Sequence, residues 1–355
     1  MTSLADANKP MERADIAFFD SNYKEFDSLI AQELAGLLQK AYKQFFDRNQ
    51  PELGGDYHLE SELKENGLPF GFVASKKNSN DVVVVFRGTQ TFAEWFKDVN
   101  IPLVSYSDGK NTEGSILRVV GEKIQLIQSP VEIPKVGDFG RVTVGFRQIY
   151  ISLRDAMINA LKDCNPNSRI FVTGHSLGGA LATLAIPDIV KNTNFEPEKV
   201  ILYTFASPRC GDRKFATNFK ASRVRHWRIA NTEDFVTMIP FPTGNIFKAT
   251  AELPKDQEEK AIGSGEVTTK EERIIENGVA TRTEEKPRNP NPLFGFFEAM
   301  YNRSGEIWNG HKRRMPDYVH TGTPVCFTIH AAALEQHHNL EEIYMRGILR
   351  FTESE

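Results

Sequence analysis

Arg169-Ile170-Phe171-Val172-Thr173-Gly174-His175-Ser176-Leu177-Gly178-Gly179-Ala180-Leu181-Ala182 joins a strand-like run to a helix-like run through a glycine-rich turn. Its first five residues form a short β-prone run, and from Leu177 to Val190 the chain is rich in Ala and Leu and reads as a helix. Between them stands a Gly-x-Ser-x-Gly pentad, Gly174 to Gly178. Alone the pentad says little. Set between a strand and a helix, it is the pattern of a nucleophile elbow, in which a sharp turn holds the serine hydroxyl clear of the sheet edge. Gly174 and Gly178 relieve clashes between strand and helix, and the helix start aims its N–H groups and positive dipole end at developing negative charge. Ser176 is the candidate nucleophile.

The flanking elements fit a sheet built around that turn. Val82-Val83-Val84-Val85-Phe86 is a near-continuous β-branched run, which suits a strand buried on both faces. Phe70 to Ala74, a turn at 76–80 and Val82 to Arg87 read as strand, turn, strand. Residues 27–47 read as a helix, with Ile30, Leu34, Leu37, Leu38, Tyr42 and Phe45 at helical spacing and Asp27 as its cap. Residues 147–162 repeat the pattern through Tyr150, Leu153, Met157, Ala160 and Leu161. Val200 to Phe205 and Val224 to Ala230 read as strands, and a last helix runs from about Asn339 to Leu349. Pro187 is expected to end or kink its helix, and residues 103–140 read as irregular, forming a hairpin or a surface loop. Strands alternating with helices predict an α/β fold with a mainly parallel central sheet, covered by helices on both faces.

Composition narrows the functional classes. The chain has 355 residues and a formal charge of −4, so no basic excess points to nucleic acid. Cys164, Cys210 and Cys326 show no Cys-x-x-Cys spacing and form no disulfide framework. The opening Met1-Thr2-Ser3-Leu4-Ala5-Asp6 has no apolar signal region, and no run of 18 or more apolar residues exists. The expectation is a cytoplasmic protein, at most peripheral to a membrane. Residues 1–20 read as a loose arm and 21–355 as one domain with an insertion at about 246–315, before the last core strand. Within it, residues 251–290 carry ten acidic and seven basic residues and no aromatic ones, the composition of a solvated segment. The patch Leu293-Phe294-Gly295-Phe296-Phe297 follows, and packing onto the body is its simplest role.

Several segments resemble, in order, those of class 3 lipases, the fungal-lipase-like family. Gly174 to Ala182 resembles its active-site segment. Val84-Val85-Phe86-Arg87-Gly88-Thr89, followed by Trp95 and Asp98, resembles its oxyanion loop. Thr204 to Asp212 resembles the strand and loop after the nucleophile helix, Asn231 to Val236 its acid segment, and Tyr318 to Val325 its last core strand. Thr143 departs from the family, where many members carry a histidine before the Gly-Phe at 145–146.

The resemblance implies an α/β-hydrolase fold and a serine carboxylic-ester hydrolase acting on lipids, of acylglycerol lipase or phospholipase/galactolipase type. It implies Ser176 as nucleophile, Asp234 as acid, and a histidine later in the chain as base. His311, His320, His330, His337 and His338 follow Asp234. His338, before the final helix, is favoured, with His337 its nearest rival. The backbone N–H of Leu177 and the N–H of Thr89 would hold the oxyanion, and residues 100–110 and beyond stand where the family carries its lid. The implied partner is a lipid ester, met through transient contact with a membrane or lipid surface. No cofactor and no metal is required; His337, His338, Glu341 and Glu342 resemble a metal cluster, but adjacent helical residues face apart. A lipase-like scaffold or signalling module without turnover is the alternative.

Overall fold

The computed structural model describes residues 25–89, 103–107, 115–120, 123–128, 134–240, 275–276, 279–280, 317–331 and 334–353. Its centre is a seven-stranded sheet. The strands are β1 (Tyr57–Glu65), β2 (Leu68–Lys76), β3 (Val82–Phe86), β4 (Ile170–His175), β5 (Val200–Phe205), β6 (Arg225–Asn231) and β7 (Thr323–Phe327), side by side in that order. β1, β2 and β3 pair antiparallel, and β3 to β7 are parallel. Phe86 is in register with Gly174, and His175 with Phe205. The carboxyl ends of β3, β4, β5 and β6 therefore finish along one edge. Open α/β sheets bind ligands outside that edge, and the turns bearing Thr89, Ser176 and Asp234 leave from it.

Helices cover both faces, as the alternation predicts. α1 (Ser28–Asp47) and α4 (Met345–Glu353) lie on one face, and α2 (Val144–Asp163) and α3 (Leu177–Asn192) on the other. The Asp27 carboxylate caps α1 by accepting the N–H groups of Leu29 and Ile30. Val83 and Val85 of β3 join a core with Ala31, Leu34 and Leu38 of α1 and Ile343 and Ile348 near the C-terminus. Val82 and Val84 are also buried, pointing to the other face by strand alternation. That is why the run has no polar position.

α3 does not end at Pro187 but continues to Asn192. Asp188, one residue on, is fully buried and locks α3 to α2. It accepts hydrogen bonds from Tyr150 Oη at 2.6 Å and from Arg154 Nε and Nη2 at 2.6 and 3.1 Å.

Of the two expectations for residues 103–140, a hairpin and a surface loop, the described residues show the hairpin. Leu103–Ser105 pairs with Arg141–Thr143, and Ser115–Val120 pairs with Lys123–Gln128 in a hairpin. The chain divides into two compact units, one running to Pro242 and resuming at Pro316, the other Thr243–Met315. In the second, the described residues form a short antiparallel pair, Ile275–Glu276 with Val279–Ala280. The N-terminal arm, Trp95, Asp98, the first part of the lid region, His311 and the aromatic patch at 293–297 lie outside the described residues.

Candidate active site

Ser176 sits at the turn between β4 and α3 with φ 61° and ψ −127°. A residue with a Cβ holds such a backbone only under constraint. The constraint is visible on each side. The Ser176 N–H donates to the Phe205 carbonyl at 3.0 Å. A Cβ on Gly174 would lie 2.0 Å from the Gly178 carbonyl oxygen, and one on Gly178 would lie 2.0 Å from that of Phe86. Glycine at both positions thus lets α3 start directly against β3 and β4. Ser176 is 0 % exposed, and its Oγ has no hydrogen-bond partner among the described residues.

The turn after β3 lies against this elbow. A Cβ on Gly88 would approach Ser176 Cβ and the His175 carbonyl oxygen to 2.8 Å. Arg87 braces the turn from beneath: its guanidinium donates to the carbonyls of Pro69 and Gly88, both at 2.6 Å, and stacks 3.8 Å over the Phe45 ring. Burial draws its pKa down to about 10. Thr89 follows, with its hydroxyl buried and without a hydrogen-bond partner among the described residues. Leu177 is the first residue of α3, where backbone N–H groups have no partner within the helix.

Asp234 begins a short 3-10 turn, Phe235–Met238, past the end of β6. It is 1 % exposed. Its Oδ1 accepts the Val236 N–H at 2.9 Å, and its Oδ2 accepts His338 Nδ1 at 2.8 Å and the Tyr344 hydroxyl at 2.6 Å. The carboxylate can only accept from the imidazole, so the proton of neutral His338 resides on Nδ1 and Nε2 carries the lone pair of a base. The other candidate histidines stand elsewhere. His320 Nε2 bonds the Thr237 carbonyl, His337 Nε2 accepts the Ala331 N–H, and exposed His330 lies 3.8 Å from Glu233.

Three residues with no sequence-derived role complete the site. Tyr344 Oη accepts the Asn231 N–H at 3.1 Å while donating to Asp234; burial raises its pKa well above the usual phenol value. Tyr42 of α1 accepts the Gly88 N–H at 3.0 Å and lies 2.8 Å from His175 Nδ1. His175 Nε2 lies 3.0 Å from the His338 carbonyl, and the two imidazole rings are 4.8 Å apart. Burial, then the neighbouring His338, holds the His175 pKa well below the usual histidine value. Helical spacing marked Tyr42 only as a core residue. Among the described residues no three His, Cys, Asp or Glu side chains group to hold a metal ion.

A parallel sheet covered on both faces, with a strained serine between strand and helix at its carboxyl edge, defines the α/β-hydrolase fold. Residues 83–244 match the family model for lipase (class 3), and the resemblance to that family is shown across this stretch. The chain is 32 % identical over 220 residues to phospholipase A1-II 3 of Oryza sativa subsp. japonica, covering 60 % of this chain and 51 % of that protein. It is 29 % identical over 170 residues to the chloroplastic phospholipase A(1) DAD1 of Arabidopsis thaliana, covering 47 % and 35 %. It is 27 % identical over 173 residues to secreted mono- and diacylglycerol lipase A of Penicillium cyclopium, covering 48 % and 46 %. The chain thus spans 35–51 % of the length of these relatives.

These relatives overturn the expectation of a cytoplasmic protein, since one is named chloroplastic and another secreted. The expectation rested on the three cysteines, the composition of the first residues and the lack of a long apolar run, none of which defines a compartment. No helix among the described residues is long and apolar enough to cross a membrane.

Proposed function

We propose that this chain is a serine carboxylic-ester hydrolase acting on lipids, with Ser176, His338 and Asp234 as its triad. The observation that carries this reading is the hydrogen bond from His338 Nδ1 to buried Asp234 Oδ2, in a segment held against the neighbour of the strained Ser176. In the reaction Ser176 Oγ attacks the ester carbonyl while His338 Nε2 takes its proton. The carbonyl oxygen gains negative charge and is held by the N–H groups of Leu177 and Thr89, with the Thr89 hydroxyl beside them. A donor of this kind contributes about 3 kcal/mol to the transition state. His338 then protonates the leaving alcohol, leaving an acyl-serine. Water attacks that ester by the same route, giving the fatty acid and free serine. Asp234 keeps the imidazole in its Nδ1–H tautomer and stabilises its positive charge.

Relatives named phospholipase A1 and mono- and diacylglycerol lipase support glycerolipid esters as substrates. Turnover of a medium-chain nitrophenyl ester by wild type, with loss in Ser176→Ala, is the expected result. Equal turnover in both proteins would contradict the proposal. Absence of turnover on every lipid ester would favour a non-catalytic scaffold instead.

A further inference from the structure

A continuous hydrogen-bond chain joins the oxyanion turn to the loop of the base. The Gly88 N–H donates to Tyr42 Oη, Tyr42 Oη meets His175 Nδ1 at 2.8 Å, and His175 Nε2 meets the His338 carbonyl at 3.0 Å. The directions follow from the two ends. A carbonyl only accepts, so Nε2 carries the imidazole proton; Nδ1 of the neutral ring therefore accepts, and the Tyr42 hydroxyl donates. The Tyr42 hydroxyl thus accepts from Gly88 and donates to His175.

Its placement is unusual for a bond network that only holds a core together. One end is the backbone of Gly88, beside Thr89. The other is the backbone of His338 itself, 163 residues beyond His175. The link between them is the residue preceding Ser176. A Cβ at Gly88 would lie 2.6 Å from Tyr42 Oη, so glycine there is what allows the phenol to reach the backbone. His175 is 5 % exposed, so water does not substitute for either partner.

We propose that Tyr42 and His175 are positioning residues that set the distance between the oxyanion turn and the histidine base. The proposal rests on the reading of Ser176 and His338 given above. Without the pair, Gly88–Thr89 and His338 would each move independently of Ser176. A misplacement of about 1 Å in such a site lowers the rate by roughly 100-fold.

The two arms can be separated chemically. An asparagine amide reaches where Nδ1 of histidine lies, and a glutamine amide reaches where Nε2 lies. His175→Asn keeps an acceptor for Tyr42 but releases the His338 carbonyl. His175→Gln keeps a donor to that carbonyl but leaves Tyr42 without its acceptor. Tyr42→Phe removes the hydroxyl with little change of shape. On the purified full chain, with a medium-chain nitrophenyl ester, each variant is expected to lose roughly 10- to 100-fold in kcat, with KM within about twofold. In Tyr42→Phe, inhibition by a trifluoromethyl ketone, which forms a tetrahedral adduct, weakens by the same factor as kcat/KM. Inhibition by the matching unreactive amide does not change.

Folded Tyr42→Phe with kcat within twofold of wild type would overturn the proposal, as would equal loss of ketone and amide binding. A second readout needs no variant to fold. In wild type labelled with 15N-histidine, NMR should find His175 as the neutral Nε2–H tautomer and His338 as Nδ1–H; His175 as Nδ1–H overturns the chain. The control separates levels. Full activity in Ser176→Ala sinks the triad reading and this proposal together. Inactive Ser176→Ala beside wild-type-like Tyr42→Phe sinks this proposal alone.

Discussion

At Ser176 the backbone adopts φ 61° and ψ −127°, a region that costs about 1–3 kcal/mol for a residue with a Cβ. The proposed nucleophile role would be the reason to retain such a residue, and this gives a prediction opposite in sign for stability and activity. Ser176→Gly should abolish turnover yet raise the urea midpoint, corresponding to a gain in unfolding free energy of up to about 1 kcal/mol once glycine's extra chain entropy is counted. A lowered midpoint would argue against strain at the elbow. Gly88→Ala tests the neighbouring turn. Its Cβ would lie 2.6 Å from Tyr42 Oη and 2.8 Å from Ser176 Cβ, so kcat should fall at least roughly 10-fold. Asp234→Asn removes the charge and leaves the shape, and a loss of about 10⁴-fold in kcat is expected. Ser176 and Asp234 are legible in sequence because each lies in a local motif. Tyr42 and His175 are not, because their bond joins residues 133 apart and no spacing rule links them.

Among elements, β3 announces itself, since five consecutive apolar residues leave few options but a strand buried on both faces. β1 escapes a reading based on pattern. Its sequence Tyr57-His58-Leu59-Glu60-Ser61-Glu62-Leu63-Lys64-Glu65 buries few positions, and register shifts break its pairing with β2. It is an edge strand, and edge strands carry charge for reasons unrelated to a core. The run through Pro187 shows a tertiary contact overriding a local signal, because Asp188 is bound to Arg154 and Tyr150 of α2. Asp188→Asn removes the buried carboxylate from the Arg154 guanidinium, whose side chain is 7 % exposed, and leaves it the exposed Asp155 carboxylate at 3.0 Å. Breaking a buried pair on one side destabilises by about 3–5 kcal/mol. Chemical denaturation should show that loss, with the activity of the remaining folded protein unchanged. A loss under about 1 kcal/mol would mean that the α2–α3 contact is not held by this pair.

For the whole molecule, His226, His175 and His320 predict how stability responds to acid. Burial lowers the pKa of His226 to about 3, and holds those of His175 and His320 well below 6.5. The unfolded chain therefore binds more protons than the folded one below about pH 6.5. Stability rises with pH across that window and falls as pH drops through it, by up to about 1.4 kcal/mol per pH unit for each histidine. His226, between the hydroxyls of Thr204 and Thr321, lies apart from the proposed chemistry. Calorimetry should give a lower Tm at pH 5 than at pH 7 and a flatter dependence in His226→Gln; identical slopes would contradict this.

Relatives named phospholipase A1 and mono- and diacylglycerol lipase both match this chain, so a hydrolysis panel across those classes tests the head group. The motif around Ser176 bears on how an ester would be attacked, not on which one is admitted.

The most direct measurement is the site of covalent labelling by a fluorophosphonate, mapped by peptide mass spectrometry on wild type, Ser176→Ala and His338→Ala. One adduct is expected, on Ser176, absent in Ser176→Ala and formed at least roughly 10²-fold more slowly in His338→Ala. An adduct on another serine, no adduct on the folded wild type, or undiminished labelling in His338→Ala would contradict it.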